Sequence, residues 1–273
     1  MTSVVPGQVR PGLPRGRVTQ LHVVLSEWTK LRSVRSTRWS LLVAVAGTIG
    51  LAALACGVVA HHYPQMNAAD RADFNPLDVN FVGVQLAQLA IGVLGVLVIS
   101  GEYSTGMIRS SMCAVPKRLP VLWAKAIVYG LVTLALMIPA VLIAFFVGQA
   151  FLSSQHIEIA FTAPGVSRAV IGAALYLVVV GLLGIGLGAI TRNTAGGIAT
   201  FAGIMFVLPP LMNVLPASWN RAASPYLPLA AGESIMSITP GNHLSPWVGL
   251  ALFAGYAASA LAVAAYLMIR RDT

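Results

Sequence analysis

Six stretches of the chain, residues 39–60, 80–100, 126–150, 169–190, 196–216 and 247–269, contain no Asp, Glu, Lys, Arg or His. Each runs for about 20 residues or more, roughly 30 Å of helix, which is the depth of a bilayer's hydrocarbon core. Inside lipid a segment has to satisfy its own backbone hydrogen bonds, so runs of this kind fold as helices. The pattern predicts an all-α polytopic membrane protein with six transmembrane helices. With 57% hydrophobic and 9% charged residues, the chain has far fewer charges than the quarter or so found in soluble domains. The first run exceeds a signal-peptide core and no small-residue cleavage pattern follows, so it reads as a retained helix. Pro209 and Pro210 interrupt the far end of the fifth run, and Pro139 is expected to bend the third. Only Thr191 to Ala195 separates the fourth and fifth runs, which predicts an antiparallel helical hairpin.

The 17 Lys and Arg residues outnumber the 8 Asp and Glu, for a net charge of +9. In a soluble chain that excess would suggest nucleic acid; in a membrane protein it reports topology first. With the N-terminus cytoplasmic, the inner side holds Arg10, Arg15, Arg17, Lys30, Arg32, Arg35 and Arg38, then Arg109, Lys117, Arg118, Lys125, Arg192, Arg270 and Arg271. Only Arg71, Arg168 and Arg221 fall outside, together with Asp70, Asp73, Asp78, Glu158 and Glu233. The expectation is that both termini are cytoplasmic, with a lipid bilayer and no nucleic acid as partner.

Residues 1–18, rich in Pro, Gly and Arg, read as a disordered cytoplasmic tail, and 19–273 as a single transmembrane domain. Within 20–37, Leu21, Val24, Leu25, Trp28 and Leu31 recur at helical spacing, with Glu27, Lys30 and Arg32 opposite. That stretch is too short and too charged to span. It predicts an amphipathic helix lying in the membrane interface, or packed on a neighbouring protein. On the far side, 217–246 carries Trp219, Tyr226, Leu227, Leu229, Ile235 and Met236 among Pro and Gly, and is expected to fold back as short helices.

The chemistry that is missing narrows the function. There is no Gly-x-x-x-x-Gly-Lys-Ser/Thr loop and no His-Glu-x-x-His motif. His61, His62, His156 and His243 are scattered over outer loops. No catalytic, cofactor-binding or metal-ligating residue is assigned, and the chain is not read as an enzyme. Uncharged spans also argue against ion-coupled transport, which uses intramembrane ionisable groups. Gln85 and Gln88, three positions apart, are expected to share a face of the second span, either gluing a helix interface or lining a path. Gly92 and Gly95, and Gly181, Gly184, Gly186 and Gly188, allow close backbone approach in lipid. Cys56 and Cys113 sit at different depths, which makes a disulfide between them improbable.

One internal interval on the basic side is long and polar: residues 101–125. It opens with Ile99-Ser100-Gly101-Glu102-Tyr103-Ser104-Thr105-Gly106-Met107-Ile108-Arg109-Ser110, where Gly101 and Gly106 allow a turn and Met107 and Ile108 make an apolar tip. This segment resembles the Gly-Glu-x-x-x-Gly-Thr/Met pattern after the second span of type-2 ABC transporter permeases of the bacterial exporter type. Ser26-Glu27-Trp28-Thr29-Lys30-Leu31-Arg32-Ser33 before the first span, and the basic tail after the sixth, are similar too. The resemblance covers about Leu21 to Arg271 and implies a permease that pairs with a second copy or a homologous permease. It further implies two separate ATP-binding subunits, which would carry the ATP and Mg. Gly101, Glu102, Tyr103, Thr105, Gly106, Met107, Ile108 and Arg109 would form the coupling element, in a multi-pass protein of the bacterial cell membrane. A non-transporting scaffold or maturation factor, and less so an ion-coupled secondary transporter, stand as the alternatives. The residues of the spans announce no substrate class.

Overall fold

The computed structural model describes residues 20–104, 119–214, 216–239, 241 and 244–270, and over these the chain is helical with no strand. Helix α1 (Gln20–Ser33) breaks at the extended Val34, and α2 (Arg35–His62) follows. Arg35 to Thr37, expected in the interfacial helix, therefore belong to the first spanning helix. Next come α3 (Val82–Ser104), α4 (Leu119–Leu152) and α5 (Val166–Thr191). The fifth span, α6, runs Thr194–Met212, and α7 (Pro246–Arg270) is the sixth. All six are long and apolar enough to cross a membrane. The helices outrun the apolar runs at several ends. Thus α3 continues to Ser104 and α4 already begins at Leu119.

Local chemistry explains the boundaries. Arg192, in a left-handed conformation (φ 52°), ends α5, its N–H donating to Gly188 O. Asn193 then caps α6, its side chain accepting from Gly196 N–H at 3.0 Å. Those two residues build the tight hairpin expected between spans four and five. Further along α6, Gly203–Val207 forms a wider π turn, with Leu208 N–H reaching back to Gly203 O. Pro209 and Pro210 follow at once; each lacks a donor and crowds the carbonyl four residues earlier, and the π turn absorbs that mismatch. Pro139, by contrast, sits inside an unbroken α4.

Helix α5 is the central post, packed against α3, α4, α6 and α7. Of its most apolar stretch 72% is buried, against 22% for α2 and 17% for α6, which keep broad apolar faces turned outward. The α3–α5 seam is built from glycine. A Cβ on Gly95 would run into Gly181 O, one on Gly184 into Gly92 O, and one on Gly188 would lie 2.8 Å from Val96 O. At the end opposite α1, residues 217–236 fold into short helices, Ala217–Ala223 and Pro228–Glu233, the second wedged on α5 and α7. Arg168 at the start of α5 pins them, donating to Ile235 O at 3.0 Å and Ser237 O at 2.9 Å.

Candidate functional site

The last turn of α3 carries Glu102 and Tyr103, which point in different directions because neighbouring helical residues are about 100° apart. Glu102 turns inward to α1 and α4. Its Oε1 accepts from Lys125 Nζ at 2.7 Å and Lys30 Nζ at 3.1 Å. Lys125 also donates to Glu27 Oε2 at 2.6 Å, and Lys30 to Glu27 Oε1 at 2.8 Å. Two acids and two bases alternate in a closed, neutral ring that joins α1, α3 and α4. The side chains of Lys125, Glu27 and Glu102 are 3%, 4% and 9% exposed, and only that of Lys30, at 33%, reaches solvent. Burial works against the charge on Lys30, but hydrogen bonds and the negative charges of Glu27 and Glu102 outweigh it and hold the ammonium above its ordinary pKa of 10.5. Glu102 Oε2 is buried and has no hydrogen-bond partner among the described residues.

Tyr103 faces the other way, with the Arg192 guanidinium 5.4 Å from its ring centroid. Arg192 in turn donates to Leu267 O of α7 at 3.3 Å, and Thr194 donates to Ser100 Oγ of α3 at 3.0 Å. The end of α3 is therefore tied to α1 and α4 on one flank, and to the α5–α6 hairpin and α7 on the other. Buried ion pairs contribute little net stability, yet they set register strictly, because breaking one strands a charge.

Against the sequence expectations, Gly101 sits inside α3, so the chain does not turn at that residue, and a Cβ there would meet nothing within 4 Å. Thr105, Gly106, Met107, Ile108 and Arg109 lie outside the described residues, as do Cys113 and the Leu21 side chain. On α1, Leu25 and Trp28 are 53% and 49% exposed, while Leu31 packs against the core and Val24 against Val121 and Ala124. The structure separates the two glutamines: Gln88 is buried and accepts from Tyr176 Oη, whereas Gln85 faces outward. Among the described residues no cluster of three or more His, Cys, Asp or Glu could hold a metal ion.

Sequence reasoning missed Glu27, Lys30 and Lys125 as partners of Glu102. One signal was available: on the strongly basic side only Glu27, Glu102 and Asp272 are acidic, and Glu102 follows an apolar run by two residues. Isolated acids in such a setting call for nearby cations. Compared with models of known families and with curated proteins, the chain matches none.

Proposed function

We propose that this chain is the permease subunit of an ATP-driven ABC exporter, which works as a dimer and is driven by two copies of a separate ATP-binding subunit. The coupling element is the segment 101–111, and the observation that carries the reading is the double bracing of its root. Glu102 engages α1 and α4, and Tyr103 engages Arg192 at the α5–α6 hairpin. A push delivered just beyond Ser104 would thus move the ends of five helices together instead of being lost in a slack loop. Rigid-body transmission of that kind is how ATP-driven closure reaches a distant path. The uncharged spans favour a partner-driven motor over an ion gradient. Outward-facing apolar surface on α2 and α6 suits lipid or a second permease.

The test is purification of the tagged full-length chain in mild detergent, co-expressed with candidate ATPases, and identification of bound partners by mass. One ATP-binding subunit per permease is expected, and Met107→Asp should release it while leaving membrane insertion intact. A clean preparation with no ATPase bound would overturn the reading in favour of a scaffold.

A further inference from the structure

Beside the ionic ring a cavity of about 440 Å³ opens between α1, α2 and α3. One part of its lining is apolar: Leu31, Val34, Leu94, Leu97 and Val98. Another is the ring itself, and the hydroxyls of Ser33, Ser36, Thr37 and Ser40 complete the lining. Its volume falls in the range of roughly 300–1,000 Å³ that small-molecule sites occupy. A pocket with a hydrocarbon wall and a charged head is built for an amphiphile.

We propose that this cavity binds one amphiphile with a protonated amine head and a hydrocarbon tail, the amine donating to Glu102 Oε2 once a turn of the carboxyl group brings that buried oxygen to the cavity. Three of the four carboxylate oxygens in the ring already accept from Lys30 or Lys125, and Glu102 Oε2 alone is buried without a donor. Leaving a buried carboxylate oxygen unmatched is costly, so a donor is what the site lacks. A primary ammonium brings three N–H groups, whereas a quaternary ammonium brings none and cannot make this bond. The tail takes the apolar wall from Leu94 to Val98 and displaces water from it. The position suits a lipid head, since Trp28 stands exposed on α1 and tryptophan favours the headgroup level. None of this depends on an ATPase partner, so its failure would leave the permease reading untouched.

The experiment is native mass spectrometry of the full-length chain in detergent, titrated with phosphatidylethanolamine, with phosphatidylcholine of the same acyl chains, and with free ethanolamine. The amine lipid should outcompete the choline lipid by about tenfold, the worth of one charge-assisted hydrogen bond, and free ethanolamine should not bind. Glu102→Gln should bring the ratio close to one. Leu97→Trp, which leaves the ring intact and fills the tail wall, should cut binding of the amine lipid and keeps the test valid if Glu102→Gln does not fold. Equal binding of the two lipids by the unaltered chain would overturn the proposal, as would binding by Leu97→Trp equal to that of the unaltered chain. Binding of ethanolamine at lipid-like strength would refute the role given to the tail.

Discussion

The seam between α3 and α5 and the ring at the end of α3 hold one helix by opposite means. At the seam, glycines bring main chains into contact, and the atoms a new side chain would strike are carbonyl oxygens fixed in their helices. At the ring, long side chains reach across from three helices, and each charge depends on its neighbours. The seam's strength is close packing, which in lipid substitutes for the missing hydrophobic drive between helices. The ring's contribution is position: desolvation offsets most of its attraction, but any other arrangement leaves a charge stranded. A close-packed midsection and a charge-registered end thus hold α3 at two levels.

The two grips should break differently. Gly184→Leu drives a side chain into Gly92 O, where neither backbone can yield. It should cost about 3 kcal/mol or more, seen as loss of the monodisperse peak in detergent or a collapsed melting temperature; an unchanged melt would dissolve the seam argument. Lys125→Met comes next, since it strands Glu27 and Glu102 in a buried site, at about 3 kcal/mol. Lys30→Met, at the exposed corner of the same ring, should cost about 1 kcal/mol or less because water screens it. Equal losses for the two lysines would show that burial does not order the ring.

The last contrast lies at the opposite end of the molecule and leaves the ring untouched. Burial pushes the Glu233 carboxyl from 4.5 up to about 7. The fold therefore favours the protonated acid. That stabilisation is complete below pH 4.5 and is lost as pH rises through about 7. The melting temperature should accordingly drop between pH 5 and pH 8, and Glu233→Gln should flatten the slope. A slope that persists in Glu233→Gln would assign it to other groups.

Much of this was legible before any fold was known. The six spans, the hairpin at Thr191 to Ala195, the short folded helices after Pro216 and the close approach of glycine-bearing helices follow from local composition. The glutamine pair was not. Gln85 and Gln88 lie about 60° apart on α3, near enough to read as one face, and only the position of Tyr176 on α5 turns one inward and leaves the other out. Nor were the partners of Glu102: the resemblance implies a place for it in a coupling element, and only the fold brings Lys30 and Lys125 to its carboxylate.

The sequence by itself determined how many helices are long and apolar enough to span, roughly where they lie and that most of the basic residues gather on one side. Those are properties of each segment against lipid, decided within about 20 residues. Only the tertiary structure decided that α5 is the post around which the others stand, and that Glu27, Lys30, Glu102 and Lys125 close a ring. The ring's partners are as much as 98 positions apart in sequence. No local pattern records such a meeting, because a charge near a helix end is equally at ease in solvent until another helix arrives to bury it.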